Sequence, residues 1–112
     1  MQRDKCGELR REAAGRKVVL AGWVHRVRDL GGITFVDLRD ASGIVQLVLR
    51  NAAHLSREDV IRIAGTVRLR EARNPSLPTG DIEVEAEEVE VLSRAKPLPL
   101  SVDVPRGEGR VP

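Results

Sequence analysis

The sequence predicts an all-β domain, a small five-stranded antiparallel barrel. Three observations carry this. Five runs rich in Val, Ile and Leu alternate apolar with polar side chains at the strand period of two. Clusters of glycine and proline separate the runs. The strand–helix–strand rhythm that a parallel sheet requires is missing. With 112 residues, 41% of them hydrophobic, the chain supplies one core and is too apolar for wholesale disorder.

The elements follow in order. Residues 7–14 carry helix formers and predict a short N-terminal helix capping one end of the sheet. Residues 17–29, rich in Val and Leu, are the first strand, broken by Leu30-Gly31-Gly32. Residues 33–39 are the second, and Asp40-Ala41-Ser42-Gly43 is a tight turn into the third, 44–49. Polar residues 51–59, with Ser56 as N-cap, predict a short helix or turn. The fourth strand covers 60–71. Two prolines and a glycine make 74–80 a loop, and 81–92 is the fifth strand. Past Ala95 the proline-spaced Lys96-Pro97-Leu98-Pro99-Leu100 and the Gly/Pro/Arg-rich 105–112 read as a hinge. The division is a domain over 1–95 and a hinge over 96–112. Five strands with a helix or turn between the third and fourth describe the Greek-key barrel called the OB-fold.

Composition removes several functions. No apolar run approaches the ~18 residues of a membrane span, and Met1-Gln2-Arg3-Asp4-Lys5 opens no signal peptide, so the expected location is cytoplasmic. The single cysteine, Cys6, excludes an internal disulfide and has no positioned base to make it a nucleophile. His25 and His54 lack partners at metal-ligand spacing, and no glycine-rich phosphate loop is present. The expectation is a binding module with no catalytic, cofactor or metal residues. The net charge is +2, with ten Lys/Arg against six Asp/Glu in residues 1–50 and nine against eleven in 51–112. That is a weak pointer to an anionic partner. Sixteen of the nineteen cations are arginine, the side chain suited to phosphate and planar partners.

Strand alternation assigns faces. Val36 and Leu38 point inward, so Ile33, Phe35 and Asp37 point outward. Val45, Leu47 and Leu49 oppose Ile44, Gln46 and Val48. Ile61, Ile63, Gly65, Val67 and Leu69 form an inner row, against Arg62, Ala64, Thr66, Arg68 and Arg70. Ile82, Val84 and Ala86 oppose Asp81, Glu83 and Glu85, after which the apolar phase shifts to Val89 and Val91 and predicts a bulge near Glu87-Glu88. Trp23 is placed in the core. The outer face then gathers Phe35, Gln46, Arg68, Arg70 and Glu83. An outward aromatic offers a stacking platform for an unpaired base, arginines bind phosphate, and Gln and Glu read donor–acceptor patterns.

Particular residues sharpen this. Cys6-Gly7-Glu8-Leu9-Arg10, the block from Ala21-Gly22-Trp23 to Arg28-Asp29-Leu30-Gly31-Gly32, Phe35-Val36-Asp37-Leu38-Arg39-Asp40 and Gly43-Ile44-Val45-Gln46 occur in that order. Gly65-Thr66-Val67-Arg68, Asn74-Pro75, Thr79-Gly80-Asp81-Ile82-Glu83-Val84 and Ala95-Lys96-Pro97-Leu98-Pro99 follow. Over nearly its whole length the chain resembles the N-terminal anticodon-binding domain of bacterial-type aspartyl-tRNA synthetases. The resemblance implies an OB barrel that grips a tRNA anticodon loop with its bases splayed outward. Phe35 matches the family's stacking phenylalanine, and Gln46 and Glu83 match its polar base readers. Arg28, Arg68, Arg70 and Asn74 match its anticodon-loop contacts, with Arg26 a weaker addition.

The chain departs from the family in two ways. Val27 interrupts what is often a run of three basic residues, and the class II catalytic domain that uses ATP and magnesium is missing. The resemblance therefore implies a parent aspartate–tRNA ligase, a homodimer through its catalytic domain, with this chain a monomeric excised domain that itself holds no cofactor. A stand-alone paralogue or an engineered scaffold is the alternative origin. A sequence-tolerant single-strand binder and a protein-interaction module are the alternative functions.

Overall fold

The structure, a computed structural model, describes residues 4–50 and 55–95. The five apolar runs become β1 (Lys17–Leu30), β2 (Ile33–Asp40), β3 (Gly43–Arg50), β4 (Val60–Leu69) and β5 (Ile82–Ser93). Each lies within a few residues of its sequence-read bounds. The expected hinge over 96–112 and the first half of the expected 51–59 helix lie outside the described residues. No helix among those described is long and apolar enough to cross a membrane.

β1 turns into β2 through Gly31 and Gly32, with φ of 61° and 89°, below a closing Leu30↔Ile33 pair. Two consecutive positive φ values define the tight turn that matches strand twist, and glycine adopts them without strain. β1 is long enough to serve two neighbours. Residues 17–23 pair with β4, residues 23–30 pair with β2, and His25 is the extra residue at the bend between Val24 and Arg26. β5 runs antiparallel to β4 and closes the barrel against β3, in the order β1-β2-β3-β5-β4.

That closure corrects one expectation. The barrel is mixed, not wholly antiparallel, because β3 and β5 are parallel through Leu47↔Val84 and Val48↔Glu85. The reason is arithmetic: strand directions cannot alternate all the way round a closed ring of odd number. One parallel seam is obligatory, and here it is the junction opposite the β1 bend.

The inner rows fill the barrel. Leu20, Val24, Val36, Leu38, Val45, Leu47, Ile61, Ile63, Ile82 and Val84 are buried to 1% exposure or less. The expected bulge lies at Glu87, passed over between the Ala64↔Glu88 and Gly65↔Ala86 pairs. Three inward assignments fail. Trp23 is only half-buried, because it follows the β1 phase opposite to Leu20 and Val24. Leu69 ends β4 and is 47% exposed, and Val89 is 39% exposed beyond the bulge, while Val91 does pack on the core.

The N-terminal helix is instead two single turns, Cys6–Glu8 and Arg11–Ala13. Tertiary tethers override helix propensity there. Asp40 accepts the Cys6 N–H at 2.9 Å and the Ser42 hydroxyl accepts the Gly7 N–H at 2.8 Å. A Cβ on Gly7 would meet the Ser42 carbonyl at 2.0 Å, so only glycine permits the approach. Burial, then the Asp40 charge, pushes the Cys6 thiol far above its ordinary pKa, leaving it an inert core group.

Ser56 does not cap a helix. Its N–H is donated to the Asp59 carboxylate at 2.9 Å, and Glu58 at φ 74° makes the segment a turn. Asp59 is 1% exposed and also accepts the Ala95 N–H at 2.8 Å and Arg94 Nη1 at 3.2 Å. Burial alone would raise its pKa, but these hydrogen bonds and the Arg94 charge outweigh that and hold it below the ordinary value. A depressed folded-state pKa gives stability that is complete above the unfolded value near ~4 and is lost as pH falls through the folded one. Asp59→Asn keeps the shape but removes this dependence. Acid titration followed by circular dichroism should show a shallower loss of stability below pH ~4 in the variant than in the wild type. At neutral pH, Asp59→Ala should cost about 2–3 kcal/mol, since it strands buried backbone donors.

Candidate functional site

Pairing lays the outward side chains of four strands in cross-sheet rows. Arg28 of β1 lies opposite Phe35 of β2, and Phe35 opposite Val48 of β3, which meets Glu85 across the parallel seam. The adjacent row runs Arg26, Asp37, Gln46 and, through the Glu83↔Arg68 pair of β5 and β4, Glu83 and Arg68. The outward assignment of Phe35, Gln46, Glu83 and Arg68 is therefore correct, and the side chains converge on one face.

A ladder of hydrogen bonds links them. Arg28 Nη2 donates to Gln46 Oε1 at 3.1 Å, and Gln46 Nε2 donates to Glu83 Oε1 at 2.9 Å. Arg68 Nε donates to Glu83 Oε2 at 2.9 Å, and Arg68 Nη1 to Glu85 Oε1 at 3.1 Å. Arg50 Nε completes the ladder on Glu85 Oε2 at 3.3 Å. Gln46 is 6% exposed, which corrects any picture of it as a free surface amide. Its orientation is unambiguous, because a guanidinium only donates and a carboxylate only accepts. One carboxamide lone pair and one N–H stay uncommitted, side by side.

The Arg28 guanidinium stands 5.6 Å from the centroid of the half-buried Phe35 ring. This contact desolvates an outward aromatic and is worth about 0.5–1 kcal/mol at an exposed site. The side chains enclose a groove of about 670 Å³. Arg28, Arg50, Arg68 and Arg70 line it against Glu71 and Glu83, so its walls are cationic. Such a groove can stack a planar group, hydrogen-bond its edge and hold an anion.

Two sequence-predicted residues stand outside the groove. Arg26 is exposed one row from the ring, opposite Asp37. Asn74 belongs to the 70–81 loop, where its Oδ1 accepts the Ser76 N–H at 3.1 Å and the Ser76 hydroxyl at 2.6 Å. Its N–H is donated to the Gly80 carbonyl at 2.9 Å, so Asn74 shapes the loop. Conversely, the groove includes Leu30, Arg50 and Leu69, which the sequence reading did not place on this face. The outward phase of β3 extended two residues beyond Val48 would have found Arg50. Among the described residues no three His, Cys, Asp or Glu side chains lie together as a metal site.

Comparison with known proteins places this geometry in context. Residues 18–92 match the family described as OB-fold nucleic acid binding domain. An aspartate–tRNA(Asp/Asn) ligase of Acidothermus cellulolyticus is 56% identical over 109 residues, a match covering 90% of this chain and 18% of that protein. The chain thus spans about a fifth of the length of the curated relatives it matches. Among solved structures, the asparaginyl-tRNA synthetase of Pyrococcus horikoshii with asparaginyl-adenylate superposes with a TM-score of 0.71 at 29% identity, over 90% of this chain and 24% of that one. An OBody bound to hen egg-white lysozyme superposes at 0.71 and 31% identity, over 90% of this chain and 98% of that one.

The face assignment has a direct consequence for stability. Phe35→Ala should cost about 1 kcal/mol, whereas Leu38→Ala, three residues on and fully buried, should cost about 3 kcal/mol. Urea denaturation of both variants measures the contrast, and equal large losses would put the ring in the core.

Proposed function

Because this chain belongs to the family of OB-fold nucleic acid binding domains, we propose that it is the anticodon-reading module of an aspartate–tRNA ligase. One observation carries the reading: Phe35, Gln46, Glu83, Arg28 and Arg68 are joined in a single ladder on one cationic face. The extensive likeness to aspartate–tRNA ligases supplies the RNA. In this reading the middle anticodon base stacks on Phe35 in the place now held by the Arg28 guanidinium. Base–aromatic stacking, about 1–3 kcal/mol, outweighs the cation–π contact it replaces. The spare donor and acceptor of Gln46 meet the base edge, Glu83 adds an acceptor, and Arg68 and Arg70 face the sugar-phosphate chain. Arg26 and Asn74 contribute at the margin, Asn74 by shaping its loop. Adenylation of aspartate with ATP and magnesium, transfer to tRNA, a cytoplasmic location and dimerisation belong to the rest of such an enzyme.

An anticodon stem-loop carrying the aspartate anticodon should bind more tightly than one altered at the middle base, by about 1–3 kcal/mol. Phe35→Ala should weaken binding and shrink that difference, as measured by fluorescence anisotropy. Equal affinity for both stem-loops would identify a sequence-tolerant single-strand binder instead. The lysozyme-bound OBody gives one specific reason to consider a protein partner on the same barrel. Ionic strength separates the two, because phosphate neutralisation makes affinity fall steeply with salt.

A further inference from the structure

The row beyond Phe35 repeats its chemistry. Leu30 lies opposite Ile33, and Ile33 opposite Arg50, one pair of residues further along the strands than Arg28, Phe35 and Val48. Two residues of a strand advance about 6.8 Å, roughly one step of an extended nucleotide chain. Leu30 is 57% exposed, the most exposed large apolar side chain among the described residues, yet it opens into the cationic groove together with Ile33 and Arg50. Arg50 shares the Glu85 carboxylate with Arg68, one guanidinium on each oxygen, so two cations are held at a fixed separation by one anion. An apolar ledge beside a tethered guanidinium matches the two halves of a nucleotide, a flat face and a phosphate.

We propose that Leu30, Ile33 and Arg50 form a second nucleotide subsite, which takes the unpaired nucleotide flanking the base stacked on Phe35. The flanking base lies on the Leu30–Ile33 ledge, and its phosphate takes the exposed side of the Arg50 guanidinium. Contact with the ledge is apolar and indifferent to the base edge, so this subsite adds affinity and footprint without adding discrimination. Glu85 is a positioning residue, setting the spacing of Arg50 and Arg68. The proposal rests on the Phe35 reading above and extends it by one nucleotide.

The test uses the whole chain, the cognate anticodon stem-loop, and versions with an abasic site on either side of the middle position. Leu30→Ser, at an exposed position, should weaken the intact stem-loop about three- to tenfold. It should cause little further loss once the flanking nucleotide on one side is abasic, which a double-mutant cycle reads as coupling. Arg50→Gln should weaken all stem-loops by the same factor, whatever their middle base, and lower the salt slope by about one. Glu85→Gln should change that slope while thermal stability stays near wild type. If Leu30→Ser and Arg50→Gln bind like wild type while Phe35→Ala loses affinity, the second subsite is overturned and the Phe35 reading stands. If Phe35→Ala also binds like wild type, both are overturned. Additive losses in the cycle would show that Leu30 touches no flanking base and would likewise overturn the subsite.

Discussion

The short parallel seam between β3 and β5 is the constraint on which the rest depends. Only Leu47↔Val84 and Val48↔Glu85 pair across it. That register sets Gln46 beside Glu83 on the outside while Leu47 and Val84 meet in the core. A slip of one residue would turn Gln46 and Glu83 inward and expose the valine and leucine, which the buried apolar set forbids. Barrel closure and site geometry are therefore one decision. The bulge at Glu87 serves the same end, because it lets β5 keep Ile82 and Val84 inward near the seam and Val91 inward at its far end.

The ladder on the outer face works mainly through shape. Its ion pairs are substantially exposed on the arginine side, with Arg68 at 41% and Arg50 at 53%, and pairs of that kind add little stability. Glu83 differs, at 12% exposure, and Gln46 is buried, so these two need their partners to avoid a desolvation penalty. Satisfying them from both sides fixes each rotamer before any ligand arrives, and a fixed donor–acceptor pair loses less entropy on binding than a mobile one.

Much of the fold was legible because strand period and turn chemistry are local. Alternation alone put Phe35, Gln46, Arg68 and Glu83 outward, and the phase break at Val89 located the bulge. What stayed hidden depends on register or on distant tethers. Arg50 and Glu85 acquire meaning only once Val48 is aligned with Glu85 across the parallel seam. Gly7 and Cys6 were read as helical because the bonds to Ser42 and Asp40, more than thirty residues away, are invisible in sequence. Trp23 was assigned by size, and size was a poor guide: the smaller Val24 beside it has the inward phase. Asn74, singled out by resemblance, proves to organise its own loop, a local role that its Asn-Pro setting already allowed.

The Arg28–Phe35 contact reconciles stability with availability. An outward phenylalanine left bare would be an adhesive spot in the free protein, and a ring turned into the barrel would be useless to a ligand. A guanidinium laid over the ring covers it at small cost and is easily exchanged, because Arg28 is also held by Gln46 and need not be released to water entirely when it lifts. The ring is thus shielded by a group that a stacking base can outcompete, and the displaced charge remains within reach of the anionic ligand that displaced it. The same arginine protects the free surface and strengthens the bound one, which makes it a better neighbour for Phe35 than either a second apolar residue or a lysine lacking a planar face.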